Sequence, residues 1–139
     1  MELTAVAAQT VAANQNVLYT NVAVSGNTSM VHRSGSGIVT LRGLTNQCRA
    51  RFRITFGGNI AVPTGGTAGA IQLSAAINEE TVPSTTMITT TAAVAQYDNV
   101  STALYVDVPK GCCAQISIKN TSAVDILVQN ANLIVERVA

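Results

Sequence analysis

The chain has 139 residues, of which 11% are charged, and a formal net charge of +1. That length suits one domain with a single core. So small a net charge excludes the electrostatic footprint of a non-specific nucleic-acid binder, and no apolar run approaches the ~18 residues of a membrane span. Few charges and near-neutrality favour association, so an oligomer is expected.

Residues 10–24 read as a first extended segment, with Leu18, Val22 and Val24 on one phase. Gly26-Asn27 signals a turn before a short strand at 30–33, and Ser34-Gly35-Ser36-Gly37 punctuates before another at 38–41. The clearest strand follows at 48–56. Cys48, Ala50, Phe52, Ile54 and Phe56 alternate with Arg49, Arg51, Arg53 and Thr55, a period of two that sets an apolar row against a core. The opposite row carries three of the eight basic residues. Like charges two apart on one strand repel, so this row requires anions from neighbouring strands or another chain. Gly57-Gly58 is expected to end the strand at a bulge or bend.

Beyond the loop Pro63-Thr64-Gly65-Gly66, residues 71–77 alternate again and Asn78-Glu79-Glu80 turns the chain. The Thr-rich stretch 82–95 predicts one or two short strands interrupted at Pro83, with a helix at 91–96 as the alternative because alanine favours helices. Alternation is cleanest at 104–108, 112–119, 124–128 and 133–137, separated by Pro109-Lys110-Gly111, Asn120-Thr121-Ser122 and Asn130. Strands recurring about every ten residues with turn signals between them predict an all-β antiparallel two-sheet sandwich or barrel of about ten strands. Residues 1–139 form a single domain, and residues 1–13, small and weakly patterned, are expected to be an extended N-terminal arm.

Chemistry is sparse. One histidine, His32, beside Gly/Ser turns, reads as a surface or loop-packing residue. The seven acids are spread along the chain, with Glu79-Glu80 the one adjacent pair, and no Gly-Lys-Ser/Thr follows any strand. Glu79, Glu80 and Asp98, with backbone carbonyls, are a candidate set for Ca²⁺. Cys48, Cys112 and Cys113 are odd in number, with one vicinal pair, and read as buried small hydrophobes rather than a disulfide framework, with a vicinal disulfide or a metal site with His32 as the alternatives. The sequons at Asn27, Asn99 and Asn120 read as chance in a Ser/Thr/Asn-rich chain. The expectation is a protein that is not an enzyme and uses no cofactor.

The order of these features resembles the jelly-roll heads of the TNF-like superfamily, in the branch found in phage head-decoration or head-fibre proteins and in bacterial spore-surface collagen-like proteins. The similarity rests on the opening stretch 9–18 and on Val31-His32-Arg33-Ser34-Gly35-Ser36-Gly37 running into Thr40-Leu41-Arg42-Gly43. The arginine-rich strand, the hairpin Ile77-Asn78-Glu79-Glu80-Thr81-Val82-Pro83, the turn Val108-Pro109-Lys110-Gly111 and the close Asn132-Leu133-Ile134-Val135-Glu136-Arg137 complete it. The resemblance implies a homotrimer whose inner sheet faces the three-fold axis. In that topology strand 48–56 lies between 103–108 and the last strand. Arg49, Arg51 and Arg53 then meet Tyr105 and Asp107 on one side and Asn132, Ile134 and Glu136 on the other. A solvated outer face and contact with an acidic partner are the other two readings of the arginine row.

The chain has no collagen-like Gly-x-y stalk, and Glu2 stands where a secretory signal would be basic. The resemblance therefore implies a self-contained structural virion protein, assembled in a bacterial host cytoplasm and docked on the major capsid protein of a phage head. Glu2, Leu3, Thr4 and Val6 of the arm are the docking candidates. The alternative is a binding module, or spore-surface head, that recognises glycan or a host surface through the loops at 57–70 and 78–102. Neither reading calls for nucleic acid or a membrane as partner.

Overall fold

The computed structural model describes residues 1–139. The strands are β1 (Glu2–Ala5), β2 (Gln9–Val11), β3 (Asn21–Val24), β4 (Met30–His32), β5 (Val39–Arg42) and β6 (Arg49–Ala61). They continue with β7 (Ala70–Ile77), β8 (Glu80–Thr81), β9 (Met87–Thr90), β10 (Asp98–Pro109), β11 (Cys113–Asn120) and β12 (Ile126–Arg137). One 3-10 turn at Pro83–Thr85 interrupts them. The expected count of about ten is exceeded because β2 and β8, of three and two residues, pair separately.

Two six-stranded antiparallel sheets form a sandwich. The first runs β10-β6-β12-β1-β3, with β2 also on β12; the second runs β4-β5-β11-β7-β8, with β9 also on β7. The core lies between them. Leu3, Phe52, Ile54, Phe56, Leu133 and Val135 from the first sheet meet Leu41, Ile71, Leu73, Ile116 and Ile118 from the second, each nearly or fully buried. These are the apolar phases of alternating strands, so burial of one face of each sheet supplies the main stabilisation.

The N-terminal expectations are corrected. Residues 1–13 are not an extended arm: β1 lies between β12 and β3, paired to both, and β2 pairs with Ile126–Val128. Leu3 and Ala5 enter the core, and the Met1 amino group donates to the Val135 carbonyl at 2.8 Å. The phase read over 10–24 is also the wrong one. Leu18, Val22 and Val24 are exposed, whereas Val11, Val17 and Tyr19 are buried, because β3 is a short edge strand.

Gly57-Gly58 does not end β6. The strand runs through both glycines to Ala61, and the irregularity sits in β12, where register shifts between Gln129 and Asn132 and Asn130 takes φ +55°. A Cβ on Gly58 would stand 3.5 Å from the Ala131 Cα, so this glycine admits the bulged partner. Asn78 and Glu79 both have positive φ and close the β7–β8 hairpin as a two-residue turn. No helix forms at 91–96; the segment bends, and Ala95 N–H donates to the Val62 carbonyl at 2.7 Å.

The cysteine expectation fails as well. Cys48, Cys112 and Cys113 are all exposed free thiols. Cys48 and Cys112 stand one residue before β6 and β11, where the chain crosses between sheets and the core has run out. The corner there is tight: Lys110 N–H donates to Cys48 O and Gly43 N–H to Cys112 O, each at 2.9 Å, and a Cβ on Gly43 would meet the Pro109 carbonyl oxygen.

Candidate assembly face

The outward residues of the first sheet form rows across its strands. One row is Glu136 on β12, Arg53 on β6 and Tyr105 on β10; the next along β6 places Arg51 opposite Asp107. Strand 48–56 thus lies between the two strands expected to flank it. A third row runs Val24, Glu2, Ile134, Thr55 and Ala103, and a fourth Asn21, Thr4, Asn132, Gly57 and Ser101. Charge therefore gathers at one end of the face, with a mostly uncharged band and then amides beyond it.

Asp107 serves two arginines. It accepts from Arg51 through both oxygens, Nε–Oδ1 at 2.7 Å and Nη2–Oδ2 at 3.0 Å, and its Oδ2 lies 3.1 Å from Arg49 Nε. The bidentate bond from Arg51, opposed by some desolvation and helped by its charge and that of Arg49, holds the Asp107 carboxyl below the usual aspartate range. The same bond raises the Arg51 guanidinium above its ordinary value. Arg53 is looser, with Nη1 3.8 Å from Glu136 Oε1. Glu2 accepts from Asn132 Nδ2 at 2.7 Å, and Thr4 Oγ1 accepts from Asn21 Nδ2 at 3.1 Å. Large apolar groups stand among these charges: Tyr105 is 64% exposed, Val24 55% and Ile134 37%.

The eight residues singled out around the arginine row thus share one surface. The four docking candidates do not. Glu2 and Thr4 belong to this sheet face and Val6 is exposed beyond β1, but Leu3 is fully buried and cannot touch a particle. Sequence reasoning missed Val24, which enters the face through the β1–β3 pairing; the exposed edge position of β3 leaves no pattern that marks it.

Elsewhere the polar groups serve packing. His32 Nε2 hydrogen-bonds the Ser36 carbonyl at 2.8 Å, and its ring meets Tyr19 edge-on, with centroids 6.4 Å apart. Glu79, Glu80 and Asp98 are not gathered as metal ligands: Glu79 pairs with Lys119 at 3.1 Å, and Asp98 accepts from Thr89 at 2.7 Å. The Asn120 amide is fully buried, donating to Val11 and Val124 carbonyls, which leaves no room for a glycan on that sequon. The largest hollow, about 410 Å³, is open and lined by residues 62–67 with Val124 and Asp125.

No protein-family model matches the chain, and no curated protein is similar to it in sequence. Among solved structures, the globular domain of zebrafish complement 1qA matches 96% of this chain and 93% of its own at 10% identity, with a TM-score of 0.61. The fold is a TNF-like jelly roll. Murine APRIL agrees, covering 95% of this jelly roll and 96% of its own chain at 10% identity and a TM-score of 0.55. A family 35 carbohydrate-binding module from Cellvibrio japonicus Abf62 spans the whole jelly roll at 13% identity, but its TM-score of 0.41 is below that of a shared fold.

Proposed function

We propose that this chain is a structural protein, a jelly-roll head that assembles with its own copies, as a homotrimer, and decorates a phage head. The observation that carries the self-association is the outer face of β10-β6-β12-β1-β3. It combines Arg49, Arg51 and Arg53 with Asp107, Glu136 and Glu2, and leaves Tyr105, Ile134 and Val24 uncovered among them. Large apolar groups exposed between balanced charges are the composition of an interface rather than of a solvated surface. Balance also speaks against an acidic partner, which would meet three carboxylates along with the three guanidiniums.

The phage-head part rests on the sequence resemblance. With the arm folded into the sheet, docking on a capsid falls to exposed segments such as the loop carrying Val6, 69% exposed. Light scattering after gel filtration tests assembly. A mass near 43 kDa, three times the 14.4 kDa chain, is expected, and a stable monomer overturns it. Mass spectrometry of purified particles tests the decoration: the protein should be present in them, and its consistent absence refutes the virion reading.

The second reading, a glycan- or surface-binding module, draws on the open hollow between residues 62–67 and Val124-Asp125. No aromatic ring lines it for sugar stacking, so it is the weaker of the two. Saturable binding on a polysaccharide array, lost in Asp125→Ala, is its expected signature.

A further inference from the structure

Two of the three arginines on the face have a carboxylate oxygen within about 3 Å in the same chain, and the third does not. Arg51 holds both oxygens of Asp107 and Arg49 shares one of them. Arg53 has Glu136 as its facing carboxylate, yet the 3.8 Å between Nη1 and Oε1 exceeds a hydrogen bond, and both side chains stand half exposed. Five guanidinium donors and two carboxylate oxygens are therefore left free side by side. They lie in the row that also carries Tyr105, and two residues along β12 from Ile134. Arg and Tyr beside an exposed aliphatic are the side chains that carry most binding energy at interface centres.

We propose that Arg53 of one copy pairs with Glu136 of a second copy, and that this exchange fixes the register in which copies meet. The inference rests on the self-association reading and deepens it. Charge complementarity selects the occupant: the face carries three cations (Arg49, Arg51, Arg53) and three anions (Asp107, Glu136, Glu2), so a second copy meets it without net repulsion. Asp107 is occupied by its own Arg51 and Arg49, and Glu2 by Asn132. Glu136 and Arg53 thus remain the opposite charges on the face with no close partner within the chain. Brought together between copies, with Tyr105 and Ile134 excluding water around them, they form charge-assisted bonds that the 3.8 Å approach inside one chain does not.

Charge reversal separates a bond between copies from one within a copy. In Arg53→Glu alone, and in Glu136→Arg alone, like charges meet at every interface, and the assembly dissociation constant should rise at least about tenfold. An equimolar mixture of the two single variants should recover assembly only in part, because two of the three interfaces of a mixed trimer are matched. The double variant Arg53→Glu/Glu136→Arg, matched at all three, should recover it fully. Circular dichroism and melting confirm that both variants are folded, as expected for exposed positions. Single variants that assemble like the parent overturn the proposal, as does a folded double variant that stays dissociated. A parent protein that is itself monomeric refutes the self-association reading, whereas an assembled parent with indifferent variants refutes the Arg53–Glu136 exchange alone.

Discussion

Leu3→Ala tests whether the N-terminal strand is structure or a free arm. Leu3 is fully buried on β1, its backbone paired with Leu133 on β12 and Val22 on β3. Truncating a buried leucine removes its transfer free energy and leaves a cavity that neighbours fill only in part, a cost of about 3 kcal/mol. A domain's total stability is roughly 5–15 kcal/mol, so this one change removes a sizeable share of it. For a domain of this size the melting temperature should fall by roughly 10 °C. Thermal unfolding followed by circular dichroism reads the change directly, and removing residues 1–5 should be more damaging still, since both neighbouring strands lose a partner. An unchanged melting temperature in Leu3→Ala would mean that β1 is not held in the sheet, and would restore residues 1–13 as an arm free to reach a particle.

Three further outcomes follow from the packing. The Tyr19 hydroxyl is buried without a partner, and burial pushes its phenol far above the ordinary tyrosine value. Tyr19→Phe should therefore leave stability unchanged or raise it by about 1 kcal/mol in urea unfolding, and a clear loss would reveal a partner for the hydroxyl. All three thiols should react with a thiol reagent in the native state without denaturant, and fewer than three would refute their exposure. The Asp107 carboxyl, followed by NMR, should titrate below the usual aspartate range and move up in Arg51→Ala. Because its folded pKa is the lower one, its contribution to stability is complete above the unfolded value and fades as pH falls through the folded value. Both partners are exposed, so that contribution is small and weakens with salt.

Period-two alternation exposed the central strands well. β6, β10, β11 and β12 each bury the phase that the sequence marks, and the neighbours of β6 follow from the fold that the resemblance implied. Alternation misleads where strands leave the core. Cys48 and Cys112 lie on the apolar phase but stand at the corner between sheets, and β3 shows an apolar phase to solvent because nothing packs on its edge. The bulge was foreseen in the wrong strand because two glycines in β6 look like an interruption. The extra residue belongs to β12, and its partner only supplies the space. The arginine row was legible as charge, but which carboxylate serves which arginine depends on register across strands far apart in sequence. Asp107 with two partners and Glu136 with a loose one carry no separate mark in the chain.

The place of β1 between β12 and β3 also bears on how the protein comes to be folded. Its backbone and side-chain bonds join residues 130 apart, as in the Asn132–Glu2 contact, so the first sheet cannot close while β12 is still being synthesised. During translation β6, with Phe52, Ile54 and Phe56, has to wait for both of its neighbours, β10 and β12, which follow it in the chain. Such long-range closure slows folding and lengthens the interval in which nascent chains on one messenger can find each other's unpaired edges. Yield in a cell should therefore depend more on temperature and chaperone supply during synthesis than the finished sandwich would suggest.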